Sequence, residues 1–194
     1  MSAEPKLDSG AHAFESASDE QLLRAIADGD LAPLGELFDR HHAAVRAFAE
    51  RLLQSSADAA DLVQETFLTA SRAAQSFQPG APARPFLLGI AAQIARRKRR
   101  SFARLRSMLE AFAREPSAHP NPEQVTAAGE EVAVLNAALA QLSHAHREVL
   151  LLVDLGGLSG VDAAQALQVP AGTVWRRLHE ARFELRERIK RRIK

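Results

Sequence analysis

Apolar residues recur at helical spacing along almost the whole chain, and this repeat constrains the fold more than any other feature. Leu22, Leu23 and Ile26 form one apolar face. Leu34, Leu37, Phe38, Val45, Phe48 and Leu52 form another over the segment from about Asp30 to Gln54. Spacing of this kind puts side chains on one stripe of a helix and predicts an all-α fold. Two stretches break the pattern. "SFQPGAPAR" reads as a loop, and "REPSAHPNPEQ", with Pro116, Pro120 and Pro122 and little to bury, reads as a linker between two helical domains. The expected organisation is a flexible tail over 1–17, a helical domain over 18–112, a Pro-containing linker over 113–129 and a second helical domain over 130–194.

Local signals set the expected helix ends. Ser18 with Gln21 three residues on makes a capping box, and Asp58 is the expected cap of a helix reaching about Ala74. Pro85 suits the first turn of the next helix, which carries Phe86, Leu87, Ile90 and Ile94 into "RRKRRSFARLR". In the second domain Ser143 caps "HAHREVLLLVDL", closed by Gly156 and Gly157. Ser159 and Asp162 box the start of "GVDAAQAL", and "QVP" turns into a longer helix, "GTVWRRLHEARFEL". On that helix Val174, Leu178, Ala181 and Leu185 make a narrow apolar stripe, while Trp175, Arg176, His179, Glu180 and Phe183 point outward. A short helix, a tight turn and a longer helix with a polar outer face make a helix-turn-helix, whose second member is shaped for the major groove. Plain helix packing produces similar pairs.

Charge sharpens the choice. A net charge of +1 conceals 7 basic against 13 acidic side chains over residues 1–95, 8 against 2 over 96–115, and 9 against 3 over 171–194. Two separated basic clusters on an otherwise acidic chain suggest two contacts with a polyanion. The alternative is that basic helix ends complement the helix dipole and aid solubility. With no cysteine, the chain has neither a disulfide framework nor thiolate metal ligands. Its seven histidines show no metal-binding spacing, so no metal and no cofactor is expected. No phosphate loop, nucleophile elbow or zinc-protease pattern supports an enzyme. The polar N-terminus and the shortness of "FLLGIAAQIA" predict a cytoplasmic protein without membrane insertion.

Two motifs then carry a resemblance. "LSHAHREVLLLVDLGGLSGVDAAQALQVPAGTVWRRLHEARFELRERI" resembles the promoter-binding domain of extracytoplasmic-function sigma factors, the small members of the sigma-70 family, and "DLVQETFLTA" is similar to their core-polymerase-binding helix. The likeness spans about residues 18 to 190. It implies an alternative sigma factor that binds core RNA polymerase through the β′ clamp helices and the β flap, and starts transcription at chosen promoters. Asp61, Gln64 and Glu65 would dock the clamp helices. Phe77, the loop after it, Phe86, Gln93, Arg96, Arg97 and Arg100 would open and hold the −10 element of promoter DNA. Trp175, Arg176, His179 and Glu180 would face bases of the −35 element, with Thr173 and Arg147 on phosphates. The resemblance alone also implies an anti-sigma factor as partner.

Several positions depart from the family pattern. Trp175, Arg176 and Glu180 stand where lysine or arginine, serine and a second arginine are common. Phe86 replaces a usual tryptophan, Gln93 an asparagine and Arg97 an aspartate, while Gln168 occupies a turn position where glycine is frequent. An altered promoter preference is the expected result. Two further readings fit parts of the pattern: a helix-turn-helix regulator acting on DNA alone, and a degenerate sigma-like protein that holds polymerase without opening DNA.

Overall fold

The structure, a computed structural model, describes residues 14–110 and 130–193. The proposed linker at 113–129 and most of the proposed tail therefore lie outside the described residues. Those described form eight α-helices and no strand, as the apolar spacing predicts: α1 (Asp19–Ala27), α2 (Pro33–Leu53), α3 (Ser56–Ala73), α4 (Ala83–Glu110), α5 (Glu130–Ala140), α6 (His144–Leu150), α7 (Gly160–Leu167) and α8 (Ala171–Ile193).

Helix starts follow the short polar side chains. At α1 the Ser18 N–H donates to Gln21 Oε1 at 2.7 Å and the Gln21 N–H donates to Ser18 Oγ at 3.2 Å, the reciprocal pair that the sequence predicts. Ser143 Oγ accepts from the His146 N–H, and Ser159 Oγ from the Asp162 N–H. Asp58, however, is not a cap. Ser55 takes that role, accepting the Asp58 N–H at 3.3 Å, which leaves Asp58 inside the first turn, where its charge meets the positive end of the dipole. Helix α2 begins at Pro33, three residues later than expected, because Asp30 Oδ1 accepts the Ala32 N–H and makes a local turn first.

Two backbone features have no local sequence signature. Leu151–Leu155 continue α6 as one π-helical turn. Gly156 ends it at a place where a Cβ would lie 2.9 Å from Leu88 Cδ1 and 2.5 Å from the Leu152 carbonyl oxygen, so only glycine fits there. Gln168, in the turn between α7 and α8, adopts a left-handed conformation with φ 52°. This is the backbone state for which glycine is unstrained, so a glutamine there bears a cost that the glycine implied by the resemblance would not.

The halves before and after the linker share one continuous apolar core. Leu52, Leu62, Leu87, Leu88 and Ile94 from the first half join Leu139, Leu151, Leu152 and Leu167 from the second, all of them fully buried. Helix α4 packs along α7, and polar bonds stitch the seam. Arg84 Nη2 donates to the Leu155 carbonyl at 3.0 Å and Arg51 Nε to Asn136 Oδ1 at 3.0 Å. Arg40 ties down the start of the described chain, donating to the carbonyls of Phe14, Glu15 and Ala17 and pairing with Glu36 and Asp19.

Arg147 corrects an expectation. The resemblance implies a DNA phosphate contact for it, but its guanidinium is buried, with the residue only 6% exposed. It donates to the carbonyls of Leu139, Ala140 and Leu142 and, across the seam, to that of Leu52. Leu139 and Ala140 close α5 and Leu142 lies just beyond it, where helix geometry leaves carbonyls without intrahelical partners. A guanidinium fork satisfies several at once, and burial pushes its pKa down from the usual arginine value. Arg147→Ala should lower unfolding free energy by about 2–4 kcal/mol in denaturant titration, because it strands buried carbonyls, and Arg147→Lys should recover only part.

Nearby, His144 has its pKa lowered to about 4 by burial, and then by Arg99 and Arg147. The unfolded chain takes up this proton near 6.5 and the native state only near 4. The native state thus binds fewer protons between those values, and stability is lost as pH falls through that window. The buried carboxyl of Glu148 is raised by burial against the pull of Arg99, Arg96, Arg177 and Arg100, and its contribution runs the opposite way, shrinking as pH rises above its unfolded value. His144→Asn should therefore flatten the fall in melting temperature between pH 6.5 and 4, measured against wild type in the same buffers.

Candidate polymerase and nucleic-acid interfaces

Asp61, Gln64 and Glu65 occupy one face of α3 because Ala59, Leu62, Val63 and Thr66 turn the opposite face into the core. Asp61 and Gln64 are exposed, and Glu65 is half-buried, its Oε2 2.8 Å from Lys98 Nζ on α4. Beside this ridge lies a groove of about 620 Å³ between α2 and α3, with walls that include Leu31, Leu34, Phe38, Phe67 and Leu68. Leu31, Phe38 and Leu68 are exposed although apolar. Sequence reasoning placed Phe38 in an apolar face and missed the groove. The available signal was apolar residues at positions that helix geometry turns outward, next to a charged ridge.

Phe77 and Phe86 come together. Their ring centroids are 5.3 Å apart at an interplanar angle of 72°, and both rings are half-buried against the core. The loop between them is held at its tip, where the Gly80 N–H donates to Glu20 Oε2 at 3.0 Å. Gln93, Arg96, Arg97 and Arg100 follow at i, i+3, i+4 and i+7 on α4 and share one face, which looks onto Ala166 of α7 and Gln168 in the turn after it. Gln93, Arg97 and Arg100 are exposed, while Arg96 is half-buried.

On α8 the apolar stripe is as predicted, with Val174, Leu178 and Ala181 buried and Leu185 partly so. Arg176 and His179 stand exposed on the outer face, and Thr173 is half-buried in the first turn. Trp175 is 53% exposed, yet a Cβ on Gly160 would collide with its indole ring, so the ring lies directly over the α7 backbone. Glu180 Oε2 is 3.2 Å from His146 Nε2, and His146 Nδ1 is 3.2 Å from Glu184 Oε1. One imidazole thus links α6 to two carboxylates of α8. Arg182 grips Asp154 with two hydrogen bonds, 3.0 and 2.6 Å, fastening α8 to the π turn. None of these three contacts was visible in the sequence, because each joins residues about 30 to 40 positions apart.

Among the described residues no helix is long and apolar enough to cross a membrane. The family model described as Sigma-70 region 2 matches residues 37–105, and that described as Sigma-70, region 4 matches residues 133–185. SigE of Mycolicibacterium smegmatis, an extracytoplasmic-function RNA polymerase sigma factor, is 36% identical over 177 residues, covering 88% of this chain and 68% of that protein. NccH, an RNA polymerase sigma factor of Alcaligenes xylosoxydans xylosoxydans, is 34% identical over 172 residues, covering 86% and 92%. Among solved structures, the sigma factor RpoE from Bartonella quintana, in complex with the anti-sigma factor NepR, aligns with a TM-score of 0.61 at 28% identity over 80% of this chain and 96% of that one. CnrH in complex with the cytosolic domain of CnrY aligns with a TM-score of 0.57 at 28% identity over 87% and 95%. With both regions matched in order, and with relatives of this identity and coverage, the chain belongs to the extracytoplasmic-function sigma factors of the sigma-70 family.

Proposed function

We propose a division of labour within this alternative sigma factor, in which α3 docks core RNA polymerase, the 77–100 segment opens and holds the −10 element, and α8 reads the −35 element. The observation that carries the reading is the outer face of α8. Arg176 and His179 are exposed there on a helix fixed from behind by Val174, Leu178 and Ala181. A guanidinium held rigidly on such a face can pair bidentately with guanine. Glu180 offers a cytosine N4 its second carboxylate oxygen, since Oε2 is taken by His146. Thr173, in the first turn, suits a phosphate, and Trp175 offers the flat face of a ring.

In the first domain Asp61, Gln64 and Glu65 supply an acidic and polar ridge for the β′ clamp helices, and the β flap is the partner assigned to the second domain. Phe77 and Phe86 form an aromatic pair at the mouth of the loop, where an unpaired base has a surface to stack on, and Arg96, Arg97 and Arg100 meet the strand backbone. Bond formation belongs to the polymerase, so the chain performs no catalytic step of its own. One solved relative is held by an anti-sigma factor, which supports a partner of that class here. The cytoplasm is the proposed location.

Arg176→Ala should reduce promoter-dependent transcription by about 5- to 100-fold, the equivalent of roughly 1–3 kcal/mol of base discrimination, while binding to core polymerase stays at the wild-type level. Asp61→Lys together with Glu65→Lys should do the reverse, weakening core binding at least about tenfold in a competition assay with a second sigma factor. If Arg176→Ala lost core binding as well, the division between the two surfaces would be wrong.

A further inference from the structure

The two halves leave a cleft between α4 and α7. It measures about 230 Å³ and is lined by Gln93, Arg96, Arg97, Arg100 and Ser101 from one side and by Ala166 and Gln168 from the other. Its charge is of one sign. Among the described residues no carboxylate pairs with Arg97 or Arg100, and the one side-chain bond of Arg100 is a long one, 3.4 Å to Gln168 Oε1. The one acidic group that acts on Arg96 is Glu148, which is 3% exposed and has one carboxyl oxygen without a hydrogen-bond partner.

Arg99, Arg96, Arg177 and Arg100 each favour the charged form of that carboxyl through space. Burial raises the pKa of Glu148, against the pull of these four arginines. Arg96 is lowered by burial and by repulsion from Arg100, Arg99 and Arg177, against which Glu148 is the one opposing influence. Three guanidinium groups, those of Arg96, Arg97 and Arg100, therefore line a cleft that has no carboxylate among the described residues of its walls. Guanidinium forks bind oxyanions bidentately, and they do so most strongly where water is partly excluded.

We propose that this cleft binds a small free oxyanion of the phosphate class, orthophosphate or diphosphate, which bridges α4 and α7 and holds the two halves together. The size argues for a bare ion. The cleft is smaller than the roughly 300–1,000 Å³ of sites that enclose drug-sized molecules, so a diphosphate enters and a nucleoside does not follow it. Gln93 and Gln168 supply amide groups on opposite walls, and Ser101 a hydroxyl. The same α4 residues are those proposed above for promoter backbone, but the inference stands on the cleft and not on that role.

Melting curves and calorimetric titration of the full chain, in magnesium-free buffer at constant ionic strength, test it with sodium pyrophosphate as probe. Pyrophosphate at about ten times its dissociation constant should raise the melting temperature by about 3–5 °C, with orthophosphate weaker and added sodium chloride without effect. Gln168→Glu places a carboxylate opposite Arg100; it should melt higher than wild type without ligand and lose most of the pyrophosphate response. Arg97→Gln, at an exposed position, should lose the response without melting lower. An equal response in all three proteins, or one that follows ionic strength alone, overturns the proposal. So does stabilisation by a short single-stranded oligonucleotide with none from pyrophosphate, which would assign the cleft to nucleic-acid backbone. A protein that initiates transcription but ignores pyrophosphate sinks this inference alone, and one that binds pyrophosphate but never initiates sinks only the promoter reading.

Discussion

The apolar seam between the two halves sets the position of everything else. Leu87 and Leu88 on α4 share a core with Leu151, Leu152 and Leu167, and Gly156 lets the end of the π turn come right up to Leu88. Burial of this kind is non-directional and supplies attraction without register. The register comes from polar groups that have few places to go. Arg147 reaches the Leu52 carbonyl, Arg84 the Leu155 carbonyl and Arg51 the Asn136 amide, and each bond fixes one half against the other. Helix α8 is then held to this body by Arg182 on Asp154 and by His146 between Glu180 and Glu184.

That seam has a geometric consequence for the proposed promoter contacts. A compact chain of this length has a radius of gyration of about 16 Å. Two DNA elements centred about 25 base pairs apart lie roughly 85 Å apart along the duplex. The arrangement described here cannot span both, so engaging them together requires the halves to part. Parting would also uncover Gln93, Arg96, Arg97 and Arg100, which now look onto α7. The apolar surface exposed at the seam would need cover, and the polymerase is the surface on offer. Closure and promoter binding thus oppose one another through the same face of α4.

Much of this was legible from local sequence, and what was hidden is of one physical kind. Ser18, Ser143 and Ser159 were readable as caps because a cap acts within three residues of itself. Ser55 and Asp58 are both good cap formers three apart, and the pattern alone does not choose between them. The stripe of Val174, Leu178 and Ala181 follows from period alone, so the outward position of Arg176 did too. Arg147 was misplaced because its partners, Leu139 to Leu142 and Leu52, are set by tertiary packing, and an arginine at a helix start looks the same whether it faces water or a buried helix end. The indole of Trp175 lying over Gly160 and the Lys98 pair with Glu65 belong to the same class. The π turn at Leu151–Leu155 has a sequence that suits an ordinary helix equally well.

The departures from the family pattern gain meaning from where they meet. Gln93, Arg97 and Gln168 are far apart in sequence, yet all three line the cleft between α4 and α7. Taken singly, an amide for an amide at 93, an arginine for an aspartate at 97 and a glutamine for a glycine at 168 look like unrelated drift. Taken together they lengthen both amide-bearing walls and change the charge of the site by two units. The left-handed backbone at Gln168 makes its side chain costly to keep, since glycine would relieve the strain there. In that conformation the Gln168 amide oxygen faces Arg100 at 3.4 Å, so the side chain that strains the turn also reaches into the cleft.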